Sequence, residues 1–193
     1  MRLTSPRLTS PRVSPVSLEE YRRINQELFA TEAREGRGDV LNLTRTWARN
    51  PALMKAQRPL QLHLNAHTTL GKREHELVVL RIGWLCQSEY EFAQHTGRAG
   101  LTPEEMRRII AGPDAPGWTE FEAALLRAVD ELYRDHIVSD ASWAKLAERY
   151  SVEQLMDMVS LTGRYWTVSV MLNTLGVQLE EGKSGFRRSP PSA

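Results

Sequence analysis

Besides Ser88 with Glu91, taken up below, four pairs along this chain set a serine or threonine three residues ahead of glutamate or glutamine, with an apolar-periodic segment behind. The pairs are Ser17 with Glu20, Thr102 with Glu105, Thr119 with Glu122, and Ser151 with Gln154. Each is a helix-start signature, because the hydroxyl and the longer side chain can reciprocally satisfy backbone N–H groups that the first helical turn leaves unpaired. Asn50 before Pro51 marks a further start, since proline is tolerated where the N–H has no partner anyway. No comparable alternating strand pattern occurs. These signals predict an all-α chain with helices over 17–31, 39–48, 51–67, 72–86, 88–100, 103–111, 119–135, 140–149 and 151–175.

Flanking composition sets the expected domain limits. Residues 1–16 repeat Arg, Ser and Pro with a five-residue period and little apolar content, which predicts a disordered arm. Residues 181–193 read as a flexible tail, leaving 17–180 as a single helical domain. The 25 basic and 24 acidic residues nearly cancel, so no broad cationic field is available for nucleic acid or an anionic membrane surface. The longest uncharged run, Tyr165 to Leu179, is shorter than the ~20 apolar residues that span a bilayer. One cysteine, Cys86, allows no internal disulfide and suggests a reducing, cytoplasmic setting.

The segment "KREHELVVLRIGWLC" is apolar nearly all round after Glu76, the pattern of a central helix. A carboxylate just inside such a helix costs a few kcal/mol unless it is paired. Downstream, Ser88, Glu91 and His95 stand at i, i+3 and i+7, one strip of a helix, and a hairpin between the two helices would let Glu76 approach His95. One carboxylate could then hold the imidazole tautomer while the other exchanges protons through it. Ser88 and Glu91 also have the spacing of a plain capping box, and both readings stand at this stage. Arg81 is the one cation inside the apolar helix. It could hold a substrate carboxylate or pair with Glu74 or Glu76. Trp84 and Tyr90, with Phe92, Tyr165 and Trp166, could wall a pocket or simply pack. His63 and His67 have a metal-ligand spacing but no acidic residue between them, so no metal site is expected. His75 and His136 read as exposed.

The stretch "ELVVLRIGWLCQSEYEFAQHTGRAGLT" resembles the core motif of the carboxymuconolactone decarboxylase family, which includes the alkylhydroperoxidase D-like proteins. The similarity runs from about residue 40 to 181. It implies a helical bundle that assembles as a homotrimer or homohexamer, with a site on its paired central helices. In the peroxidase branch a glutamate, a Cys-x-x-Cys pair and a histidine fall on Glu76, on Ser88 and Glu91, and on His95. Both thiols are therefore absent, and disulfide exchange lacks its nucleophile. The Glu91, Phe92, His95 pattern is similar to the decarboxylase branch. The resemblance implies a cofactor-free lyase for a small carboxylated lactone or organic acid, with His95, Glu91, Glu76 and Ser88 catalytic and Arg81, Tyr90 and Trp84 substrate-binding. A peroxidase-related oxidoreductase using Cys86 and a non-catalytic helical binder are the alternatives.

Overall fold

A computed structural model describes residues 8–29, 40–183 and 185 of the chain. Among them nine α-helices occur: α1 Leu18–Phe29, α2 Asn42–Trp47, α3 Pro51–Leu62, α4 Lys72–Leu85, α5 Glu89–His95, α6 Pro103–Ala111, α7 Glu120–Arg134, α8 Asp140–Ala147 and α9 Val152–Leu175. The four capping signatures are all made. Glu20 donates its N–H to the Ser17 hydroxyl at 3.0 Å, Ser151 and Gln154 bond reciprocally, and Thr102 and Thr119 each close a full capping box. The Asn50 side chain accepts from the Leu53 N–H at 3.1 Å. Two predicted helices end early. The one expected over 51–67 becomes a π-helical turn at His63–His67, after Pro59 has removed one backbone donor inside α3. The one expected over 88–100 stops at His95, because Gly97 adopts φ 82° and turns the chain into a short 3₁₀ segment.

Contacts among the described residues fall into two compact units, one formed by those up to His67 with Leu172–Lys183, the other by Thr68–Met171. In the first, residues 8–16 are held rather than loose. Arg12 and Val13 donate backbone N–H groups to the Leu175 carbonyl, and the guanidiniums of Arg45 and Arg49 bond the carbonyls of Val16 and Ser14. Val16 is 1% exposed, in a cluster with Ile24 and Ala48. Composition gives no sign of this because the partners that hold the segment, Arg45, Arg49 and Leu175, lie far along the chain.

The second unit is built around α4, whose residues from Leu77 to Gly83 are all buried. Packed against it are α5, α6 and α7, with α8 against α7. Arg73, at the start of α4, bonds the capping glutamates of two other helices, Glu105 at 2.6 Å and Glu122 at 2.7 Å. Arg81 is buried and fully engaged. Its guanidinium forms a fork with Asp130 of α7 at 2.6 and 2.7 Å and donates to the Ile109 and Ile110 carbonyls at the end of α6. The pairing with Glu74 or Glu76 expected from sequence is not made, since Glu74 instead bonds Arg149. Gly112, with φ 109°, lets the chain pass over this arginine: a Cβ there would lie 3.1 Å from Nη2.

Candidate acid–base site

The junction of α4 and α5 fixes the site. Gln87 takes a left-handed φ of 56°, and the N–H groups of Gln87 and Ser88 return to the carbonyls of Trp84 and Gly83 at 2.9 and 2.8 Å. This double return is a Schellman closure, normally served by glycine at the left-handed residue. A glutamine there costs roughly 1 kcal/mol. The reversal folds α5 back along α4, so that residues well apart in sequence meet.

What meets is an imidazole between two carboxylates. His95 Nδ1 lies 2.7 Å from Glu76 Oε2, and Nε2 lies 3.0 Å from Glu91 Oε1. His95, Glu91 and Glu76 are 4%, 4% and 8% exposed. A neutral imidazole has one N–H, so bonding two carboxylates at once favours the imidazolium. Burial opposes the charged ring, yet the hydrogen bonds to Glu76 and Glu91 and their charges override it and raise the His95 pKa above the usual histidine value. For Glu76, burial pulls upward, and contacts from His75 and His95 outweigh it, bringing the carboxyl down to about 2. At neutral pH Glu76 is therefore ionised and fixes the Nδ1 proton. Nε2 is left as the nitrogen that can exchange.

His75, read from sequence as exposed, is half-buried, with Nδ1 3.6 Å from Glu76 Oε1. Its ring meets Tyr165 of α9 edge-on at 6.0 Å, and the His95 ring does the same at 5.3 Å. Tyr165 is thus wedged against both imidazoles, and burial with the Glu91 and Glu76 charges pushes its phenol pKa up. Arg164, beside it in sequence, has its pKa lowered by burial and lies within electrostatic reach of Glu91. The signal that could have revealed His75 is its adjacency to Glu76 at the mouth of an apolar helix.

Ser88 resolves the capping ambiguity. Its hydroxyl makes no cap bond to α5, is completely buried, and has no hydrogen-bond partner, while Glu91 turns toward His95. Of the other residues singled out from sequence, Tyr90 is buried and Trp84 packs against Phe92 at 6.2 Å. Cys86 caps the C-terminal end of α4, and burial pushes its thiol up to about 12. His63 and His67 stand exposed on their π turn. Among the described residues no group of three His, Cys, Asp or Glu side chains is arranged to hold a metal ion. An apolar hollow beside His95 was expected. Two cavities of this unit, about 390 and 300 Å³, are lined by other residues, the larger by α7 and α8 and the smaller by Ile82, Leu132, Tyr133, His136, Val159, Thr162, Gly163 and Trp166.

Residues 51–131 match the model of the Carboxymuconolactone decarboxylase family. No curated protein sequence matches the chain. Among solved structures, an uncharacterized peroxidase-related protein with an alkylhydroperoxidase AhpD core from Ralstonia eutropha JMP134 superposes with a TM-score of 0.69 at 20% identity, over 88% of this chain and 93% of that one. A peroxidase-related protein from Silicibacter sp. TM1040 gives 0.67 at 16% identity, covering 93% and 96%. The debrominase Bmp8, solved with 2,3,4-tribromopyrrole, gives 0.66 at 15% identity, covering 90% and 94%. At such identities the likeness establishes the fold, an all-helical AhpD-like one. The segment 51–131 is a carboxymuconolactone decarboxylase family domain, here with a single cysteine and so without a Cys-x-x-Cys pair.

Proposed function

We propose that this carboxymuconolactone decarboxylase family domain is a cofactor-free acid–base enzyme acting on a small carboxylated lactone or related organic acid. The observation that carries the reading is His95 held between Glu76 and Glu91. Loss of carbon dioxide breaks a carbon–carbon bond and leaves its electron pair on a carbon that a conjugated lactone carbonyl can stabilise as an enolate. The step ends when that carbon takes a proton. His95 is the proton store: Glu76 keeps Nδ1–H in place, and Nε2–H is given up to the substrate carbon, after which water restores the imidazolium. Because Glu91 covers Nε2, delivery requires its carboxylate to swing aside or to relay the proton itself. The Ser88 hydroxyl supplies a donor for the substrate's anionic end, which supports its place in the site, since a fully buried hydroxyl without a partner is otherwise a net cost. The debrominase of the same fold is solved with a small planar ring, which supports a substrate of that size.

A thiol-based oxidoreductase is the second reading, favoured by the peroxidase-related neighbours. Cys86 opposes it. Its thiol is pushed up to about 12 and it sits at the negative end of the α4 dipole, where a thiolate is disfavoured.

The deciding experiment is release of carbon dioxide from a panel of carboxylated lactones and small acids, with His95→Gln beside the native chain. The lyase reading expects turnover that falls by about 10²–10⁴ in the variant. Ligand binding with no turnover in either protein would make this a binding module. Peroxide reduction abolished by alkylating Cys86 would favour the thiol reading.

A further inference from the structure

The decarboxylation step leaves one imidazole of the site unused. His75 stands in the first turn of α4, where its neighbours are engaged elsewhere: Arg73 bonds Glu105 and Glu122, and Glu74 bonds Arg149. His75 instead packs on Tyr165 of α9, and its side chain is only 13% exposed. Its two nitrogens have different surroundings. Nδ1 faces Glu76 Oε1 from 3.6 Å, an electrostatic separation rather than a hydrogen bond. Nε2 is enclosed and has no hydrogen-bond partner among the described residues.

A neutral imidazole carries one proton, and an ionised carboxylate draws it to the nitrogen nearer the charge. Nε2 of neutral His75 is then a bare lone pair, buried and unengaged, which is a net cost to the fold alone. His95 differs directly. Both of its nitrogens lie against carboxylates, an arrangement that favours the charged ring. Glu76 serves the two rings at once, through Oε2 to His95 and through Oε1 to His75, and the Tyr165 ring meets them edge-on at 5.3 and 6.0 Å. One carboxylate thus holds a charged imidazole and a neutral one, and different environments divide acid from base between groups of the same type.

We propose that His75 is a second catalytic residue, a general base whose Nε2 removes a proton from the carbon next to a lactone carbonyl, so that the site also catalyses enolisation. The proposal rests on the reading above of His95 as the charged ring of the same site. In the step a C–H bond breaks, its proton goes to His75 Nε2, and its electron pair moves into the carbonyl as an enolate. Glu76 stabilises the imidazolium formed on His75, and the charge on His95 stabilises the enolate. Return of a proton from Nε2 to the same carbon gives exchange with no net change; return to the far end of a conjugated system moves the double bond. Nothing is oxidised or reduced. Loss of carbon dioxide generates its enolate without any base, so His75 is dispensable for that step.

The probe is 5-methylfuran-2(3H)-one, a lactone with an acidic C–H bond and no carboxylate to lose, incubated with the full chain in D2O. Proton NMR follows deuterium entering the ring carbon beside the carbonyl. The native chain accelerates exchange over buffer, and His75→Gln lowers that acceleration by about 10²–10⁴ while release of carbon dioxide from carboxylated lactones is kept. Nitrogen NMR of the native chain finds Nε2 of neutral His75 unprotonated. Exchange without any carbon dioxide release would uphold this base and defeat the lyase reading; carbon dioxide release without exchange would do the reverse. The proposal is also overturned if His75→Gln exchanges as fast as the native chain, if it loses both activities together as a merely structural residue would, or if the neutral ring carries its proton on Nε2.

Discussion

His95 and Glu76 lie 19 residues apart in sequence and 2.7 Å apart in space, on two helices joined by a left-handed glutamine. The contact links the turn to the chemistry, since Nδ1 must be a donor as long as Glu76 is ionised. Replacing Glu76 by Gln keeps the shape and removes the charge. The expected result is a lower His95 pKa, read from imidazole nitrogen shifts across a pH titration, and a proton-transfer rate whose pH dependence moves to lower pH with it. An unchanged His95 titration would mean that Glu91 alone holds the ring charged.

The same shifts set the pH dependence of folding. Glu76 has its pKa brought down to about 2 from an ordinary 4.5, and so does Glu105, chiefly through the Thr102 backbone N–H, which outweighs the opposing burial, with Arg73 adding to it. Depressed carboxylates contribute stability above the unfolded value and lose it as pH falls through the folded one. Denaturant midpoints should therefore drop between about pH 4.5 and 2. His95 has the opposite sign. Its raised pKa contributes below the ordinary histidine value and fades as pH rises through the folded one. His95→Gln should flatten the alkaline side and leave the acid slope dominated by the carboxylates.

Helix starts were legible because a capping box is local: the information lies within four residues, and Thr102 with Glu105 behaves as its sequence says. Ser88 with Glu91 has the same spacing and behaves differently, because His95 lies one turn beyond Glu91 and competes for its carboxylate. Spacing cannot rank a backbone N–H against an imidazole. Arg81 shows the other limit. Its position in an apolar helix announced that it needs an acidic partner, but Asp130 is reached only through the packing of α7 on α4, and no local pattern encodes that. His75 was missed for a related reason, since burial by Tyr165 of α9 is invisible in the neighbourhood of α4.

Ser88 and Thr102 make a matched pair of hydroxyl deletions. Thr102→Ala breaks a completed capping box and should cost about 1 kcal/mol in urea unfolding. Ser88→Ala removes a buried hydroxyl that has no partner, so stability should be unchanged or higher by up to about 1 kcal/mol. If the hydroxyl meets the substrate's anionic end, the same variant raises KM while leaving the fold intact. A destabilised Ser88→Ala would show that the hydroxyl is satisfied in solution.

Arg81 and Asp130 yield the largest expected loss. Asp130→Ala strands a guanidinium that is 6% exposed, with only the Ile109 and Ile110 carbonyls left to receive it. Breaking one side of a buried ion pair costs about 3–5 kcal/mol, and the partial exposure of Asp130, 21% for its side chain, argues for the lower end. Replacing both residues, Arg81→Met with Asp130→Leu, removes the stranded charge together with its partner and should recover most of that loss. Chemical denaturation of the two single variants and the double variant gives the coupling directly. Additive losses would show that the pair is not held together in solution. A double variant with native stability and normal substrate KM would separate this arginine from substrate binding altogether.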